Sequence, residues 1–120
     1  TGPCRDMPAA YMLADVVISA STDPEAFGRV AAEAHAMGRP VIASDHGGAR
    51  ETVIAGETGW LVPPGDSDAL AQALRTALTM TTEERDTVAR RAIAHVREHF
   101  TKPQMCASTL AVYEELLPRK

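Results

Sequence analysis

Glu25 and Glu33 are the residues in this chain whose type and spacing could do chemistry. They stand eight positions apart in Ser21-Thr22-Asp23-Pro24-Glu25-Ala26-Phe27-Gly28-Arg29-Val30-Ala31-Ala32-Glu33. Eight helical steps would advance about 12 Å at 1.5 Å per residue. That is too far for two carboxylates to share a proton, and close to the reach of an extended ligand. A helix beginning near Phe27-Gly28 would place free amides and a positive dipole end between the two acids, where an anion is favoured. The pattern then suits a ligand with hydroxyls on either side of a phosphate. A plainer alternative stands beside it. Arg29 and Glu33 have the i,i+4 spacing of a surface ion pair, worth about 0.2–0.5 kcal/mol, and Glu25 is also simply an acid near a helix start. Spacing alone favours the plain alternative.

The elements that must position these acids follow from the local pattern. Asp6-Met7-Pro8 predicts a capped helix start, with the helix running over Ala9–Ala14. Val16-Val17-Ile18 is a β-branched run suited to a strand buried on both faces, and Val16–Ser19 reads as a central strand. Residues 19–25 form the following loop. Phe27, Val30, Ala31 and Ala34 fall at i, i+3, i+4 and i+7, the apolar stripe of a helix, which Gly38 and Pro40 end. Val41-Ile42-Ala43 reads as a second buried strand. Asp45-His46-Gly47-Gly48 is the glycine-rich loop after it, leading to a helical turn near Arg50–Ile54, and Trp60-Leu61-Val62 reads as a third strand. Leu70, Leu74 and Leu78 recur on a helix after the Pro63–Asp66 turn. Thr81 and Glu84 form a capping-box pattern for a helix carrying Ala89, Ala92, Val96 and Phe100 inward. After Thr101-Lys102-Pro103, the residues Met105, Leu110, Tyr113 and Leu117 predict a last amphipathic helix closed by Pro118. Alternating helices and short buried strands imply an α/β fold with a parallel sheet flanked by helices.

Composition narrows the function classes. The chain has 120 residues, 45% of them hydrophobic and 23% charged, ordinary values for one small globular domain. A formal net charge of −4 argues against a protein that tracks nucleic-acid phosphates. No apolar run approaches the roughly 20 residues that span a bilayer, and no signal peptide is visible. Cys4 and Cys106 lack metal-type spacing and suggest reduced thiols in a cytoplasmic protein. His95 and His99, four apart, have no third ligand and no His-Glu-x-x-His pattern, so they read as a solvated last helical turn. No metal site is expected. Ser19, Ser21 and Ser44 lie at strand ends without a nucleophile-elbow setting. Trp60, Met105, Leu110 and Tyr113 read as packing residues.

Taken in order, these residues resemble the donor-binding domain of GT-B retaining glycosyltransferases of family 4, the glycosyl transferases group 1. The resemblance rests on Asp6-Met7-Pro8-Ala9-Ala10-Tyr11, Ala14-Asp15-Val16, Ser21-x-x-Pro24-Glu25-x-Phe27-Gly28 and Glu33-Ala34-x-Ala36-x-Gly38-x-Pro40-Val41-Ile42-Ala43. It continues through Gly47-Gly48-x-x-Glu51, Gly56-x-Thr58-Gly59-x-Leu61-Val62 and Pro64-Gly65-Asp66. It is strong over Asp6–Leu78 and looser over the C-terminal helices, residues 82–117. It implies a Rossmann-like sheet and transfer of a sugar from a nucleotide-sugar with retention and without a bound metal or other cofactor. Glu25 resembles the first acid of the family's Glu-x7-Glu motif, a catalytic-site residue contacting donor-sugar hydroxyls. Glu33 resembles the second, which accepts from the ribose. Phe27, Gly28 and Arg29 occupy the turn whose amides approach the diphosphate, and Gly47, Gly48 and Glu51 are further donor-site candidates.

Against the family pattern, the acceptor-binding N-terminal domain and the first strands of the donor domain, with their diphosphate-clamping cations, are expected upstream of Thr1. The chain on these grounds is the C-terminal half of a donor-binding domain, inactive by itself. Its parent would be cytoplasmic or peripheral at the inner face of a membrane, serving polysaccharide, lipid or metabolite glycosylation. Two alternatives remain at this point. One is a non-catalytic binding module that forms a homodimer through an exposed strand edge. The other is a GT-B sugar-nucleotide epimerase, which the order of the Pro-Glu-x-Phe-Gly and Gly-Gly-x-x-Glu elements disfavours.

Overall fold

The computed structural model describes residues 2–117. Pro118, expected to close the last helix, lies outside them, as does Thr1. The elements run α1 (Met7–Met12), β1 (Val17–Ser19), α2 (Arg29–Ala36), β2 (Val41–Ser44), α3 (Ala49–Thr52), β3 (Gly59–Val62), α4 (Ser67–Leu78), α5 (Thr82–His99) and α6 (Lys102–Leu116). The expected α/β order is therefore present, and the three strands form one parallel sheet in the order β1-β2-β3. Val17 pairs with Val41 and Ile18 with Ile42, while Ile42 pairs in turn with Trp60.

Local chemistry sets the element ends. The Asp6 carboxylate accepts from the Ala9 amide at 3.1 Å, and Asp66 caps α4 by accepting from Ala69 at 2.9 Å. Thr81 and Glu84 make the predicted reciprocal box on α5. Thr101 and Gln104 make a second one on α6, so the Thr101-Lys102-Pro103 interruption is a capped restart. At the end of α2, the Gly38 amide donates to the His35 carbonyl and the Arg39 amide to Ala34, each at 2.9 Å. That pair of bonds is a Schellman closure.

Pleating divides the core into two faces. Val41 and Ala43 point to one side with Ala31, Ala34, Tyr11 and Val53; Ile42 and Val62 point to the other, under Ala73 and Ala77 of α4. Trp60 packs against this second cluster as a half-buried wall. The residues that let helices lie close on the sheet are alanines. In α2 the buried positions are Ala31, Ala32, Ala34 and His35, whereas Val30 is 38% exposed and Phe27 precedes the helix. In α4 the buried positions are Ala73 and Ala77, and Leu78 of the expected leucine stripe is exposed. The expected stripes hold at Ala31 and Ala34 and at the partly buried Leu70 and Leu74, while Phe27, Val30 and Leu78 lie at the rim, because close packing on a sheet takes the small side chain.

β1 is the open edge of this three-stranded sheet, as expected of a half-sheet, and β2 is its central strand, with all four residues buried. Ile18, placed by register beside Ile42, is 43% exposed, because α4 packs over β2 and β3 and not over β1. The apolar residues of α6 do not form core either. Met105, Leu110, Tyr113 and Leu117 are each 60% exposed or more, and no residue of α6 is buried. The molecule measures 60 × 31 × 28 Å, with α6 standing off its body. No described helix is long and apolar enough to cross a membrane. Both cysteines are free and exposed.

Candidate active site

In an open parallel sheet, ligands sit beyond the carboxyl ends of the strands. There the β1–α2 loop, which carries Glu25, meets the β2–α3 loop, which carries His46 and the two glycines. A small cleft of about 10 Å³ is lined by Ser19, Ser21, Glu25, Gly28, Ser44 and His46 among others, room for about one water. Among the described residues, no lysine or arginine lines it. Both His46 ring nitrogens are buried without a hydrogen-bond partner.

Gly28 shapes the entry to α2. Its φ of +79° is left-handed backbone that glycine alone adopts without penalty, and it turns the chain sharply from the loop into the helix. A Cβ there would sit 3.7 Å from Glu25 Oε2, so the Glu25 carboxylate folds back over the helix entry. No side chain caps the N-terminus of α2, which leaves its entry available to a ligand. The helix begins at Arg29, so only the latter half of the Glu25–Glu33 interval is helical. The 12 Å span, which took all eight steps as helix, is therefore not the geometry of this segment.

Glu33 belongs to a different environment from Glu25. Its Oε2 accepts from the Tyr11 hydroxyl at 2.9 Å, and its Oε1 accepts from Arg29 at 3.3 Å. The predicted i,i+4 ion pair thus exists, with Arg29 84% and Glu33 41% exposed, a geometry of small energetic weight. Burial, and then the hydrogen bond to Glu33, hold the Tyr11 hydroxyl above its ordinary pKa. Met7, Tyr11, Arg29, Glu33 and Met37 line a cavity of about 430 Å³ between α1 and α2. The two acids therefore face two cavities that both border the first turns of α2. Tyr11 is the site residue that sequence reasoning did not single out. Its 22-position separation from Glu33 hides the pair, although it lies within the Asp6–Tyr11 motif.

Gly47 and Gly48 pack against the Glu25–Gly28 loop, and Glu51 lies beyond them in α3. The Gly48 amide donates to the Glu25 carbonyl at 2.7 Å. A Cβ on Gly47 would lie 2.3 Å from that carbonyl oxygen, and one on Gly48 would lie 2.4 Å from Phe27 backbone atoms. The double glycine is the floor against which the Glu25–Gly28 loop is laid. Arg50 staples the start of this floor through Asp45, donating to its carboxylate at 2.8 Å and to its carbonyl at 3.0 Å. The Glu51 side chain is exposed, and its carbonyl accepts from His95 Nε2 at 3.2 Å. His95 is accordingly a packed and bonded residue rather than part of a solvated turn. The Phe27 ring points away from the small cleft, onto Phe100. Among the described residues, no group of three or more His, Cys, Asp or Glu could hold a metal ion.

Known proteins resemble this chain in sequence and fold. The family profile of glycosyl transferases group 1 matches residues 1–95. The phosphatidyl-myo-inositol mannosyltransferase of Mycobacterium leprae is 50% identical over 66 residues, covering 55% of this chain and 18% of the relative. The D-inositol 3-phosphate glycosyltransferase of Corynebacterium glutamicum is 37% identical over 115 residues, 96% of this chain and 27% of the relative. Among solved structures, a glycosyltransferase from Rickettsia africae superposes on the whole chain with a TM-score of 0.94 at 35% identity, using 32% of its own length. HepE of Anabaena in complex with UDP-glucose matches 93% of this chain and 31% of its own, with a TM-score of 0.83 at 37% identity. The chain thus spans less than a third of these relatives' lengths. Its fold is that of GT-B glycosyltransferases, and it belongs to the glycosyl transferases group 1 family.

Proposed function

We propose that this chain is the C-terminal half of the donor-binding domain of a retaining glycosyltransferase, taking a nucleotide-sugar as donor. The observation that carries the reading is the arrangement of Glu25 and Glu33 around an uncapped helix entry, within a family whose member HepE binds UDP-glucose. Glu25 orients the hydroxyls of the transferred sugar, beside the bond that breaks. The α2 entry at Gly28 and Arg29 faces the diphosphate. Glu33, set by Tyr11, accepts from the ribose. In the whole enzyme the anomeric carbon exchanges its diphosphate oxygen for an acceptor oxygen on the same face, and the acceptor proton leaves with the diphosphate. No bound metal or other cofactor is needed in this reading, because cations of the upstream half neutralise the leaving group. The parent works in the cytoplasm or at the inner face of the membrane.

Titration calorimetry with UDP and GDP tests the site. The 120-residue chain is expected to bind one of them weakly and to turn over no nucleotide-sugar. Glu33→Ala should weaken binding about tenfold or more, the size of a hydrogen bond to a charged group. Equal affinity in the variant, or turnover by the chain alone, would overturn the reading.

One observation favours a second mode of association. β1 is a sheet edge with Ile18 43% exposed, and open edges template further strands. The partner in the parent is the upstream half of the sheet; in this chain alone, a second copy pairing edge to edge is expected. Small-angle scattering across a concentration series should show a dimer. A monomer at every concentration removes the idea.

A further inference from the structure

We propose that Phe100 and His95 are positioning residues for the donor-site loops, so that the joint between α5 and α6 sets where Glu25 lies. Phe100 ends α5, its amide donating to the Val96 carbonyl at 2.8 Å, and Thr101 beside it caps α6. The Phe100 ring meets the Phe27 ring edge-on, with centroids 5.4 Å apart and planes at 69°. The His95 ring stands against Phe100 at 5.3 Å and 86°, while His95 Nε2–H donates to the Glu51 carbonyl. The end of α5 therefore touches one loop of the small cleft and the helix that follows the other. It touches the β1–α2 loop one residue before Gly28, and the β2–α3 side through Glu51 in α3. Both partners are remote in the sequence, the Glu51 bond spanning 44 positions, and nothing in the cleft itself requires them.

The loop has few other restraints. Glu25, Ala26 and Phe27 are exposed, and between residues 24 and 28 the tertiary backbone bond is Gly48 N–H to Glu25 O. Edge-on aromatic pairs hold geometry as well as area, so the Phe27–Phe100 contact fixes the loop from the side opposite the glycine floor. Thr101, the N-cap of α6, is the covalent neighbour of Phe100, so a reorientation of α6 pivots beside the Phe27–Phe100 contact. Beside the joint lies a cavity of about 330 Å³ bounded by Phe27, Phe100, Lys102 and Met105, space into which the rings can shift. The placement of α6 is thus coupled to the loop bearing Glu25. Its functional consequence rests on the donor-site reading; the coupling itself does not.

Amide hydrogen exchange on the full chain tests the coupling without a ligand. Phe100→Ala should speed exchange at Gly48 and Ala31 about fivefold to tenfold, the scale of one aromatic pair. Ile42 and Ala43 in β2 should stay within about twofold, and Phe100→Tyr should restore the wild-type rates. If Phe100→Ala does not fold, Phe100→Leu keeps the apolar bulk and removes the ring pair. Unchanged rates at Gly48 and Ala31 overturn the proposal. So does equal acceleration across β2, which would mean that Phe100 is only a core residue. In a parallel titration with UDP, failure of the wild-type chain to bind counts against the donor reading alone. Wild-type binding that Phe100→Ala leaves intact counts against the coupling.

Discussion

Gly48→Ala is expected to cost about 3 kcal/mol of stability, at the upper end of overpacking penalties, and to lower the melting temperature by about 10 °C. The reason is not backbone conformation. Gly48 has φ −65° and ψ −16°, which alanine adopts freely. The obstacle is close approach, since the new methyl would lie 2.4 Å from the carbonyl carbon, Cα and oxygen of Phe27. These are backbone atoms and cannot swing aside as a side-chain tip would. Either α3 withdraws, opening Thr52 and Val53 in the core, or the Glu25–Phe27 loop lifts and its Glu25 carbonyl gives up the 2.7 Å bond that it accepts from the Gly48 amide.

Gly65→Ala is the informative comparison. Gly65 has φ +76°, and a methyl added there would meet nothing within 4 Å, so alanine incurs only the left-handed penalty of about 1–2 kcal/mol. Thermal unfolding followed by circular dichroism separates the two variants. Nucleotide titration then separates stability from site geometry. Gly65→Ala should keep the affinity of the unsubstituted chain, whereas Gly48→Ala should lose it even at temperatures where it is folded. A Gly48→Ala protein within about 1 kcal/mol of the unsubstituted chain, a typical single-substitution cost, would show that the loop does not rest on the double glycine.

That glycine pair illustrates what could be read in the sequence and what could not. Caps and closures were legible, because Asp6 with Ala9, Thr81 with Glu84, and Gly38 after Ala36 are interactions within one turn of chain. The strands were legible as short apolar runs, and the family was legible as an ordered set of motifs. Facts fixed by distant partners were not. Gly47-Gly48 does not announce in sequence that a neighbouring loop rests on it; only the approach of Glu25 and Phe27 shows that. Tyr11 gains its meaning from Glu33, and His95 from Glu51 and Phe100.

His35 should make the chain acid-sensitive in a defined window. It lies on the inner face of α2 at 0% exposure, where Nε2–H donates to the Thr58 carbonyl at 3.1 Å and the Thr52 backbone lies close to the ring. Burial is the main cause that lowers its pKa from 6.5 to about 4, with the nearby His95 adding to it. The folded protein therefore holds His35 neutral down to about pH 4, while the unfolded chain takes up a proton below about pH 6.5. In that interval the unfolded state binds more protons, so stability falls as pH falls. The full shift corresponds to about 3 kcal/mol, present above about pH 6.5 and lost by about pH 4. His35→Met replaces the ring with an apolar side chain that fits irregular core space and removes the titration. Urea unfolding at several pH values between about 7 and about 4.5 should show the two proteins converging or crossing as the pH drops, with the slope difference confined to this window. Parallel curves would mean that the buried ring finds a partner for its second proton, and that the core at α2 is less closed to charge than the packing of Ala31, Ala34 and His35 requires.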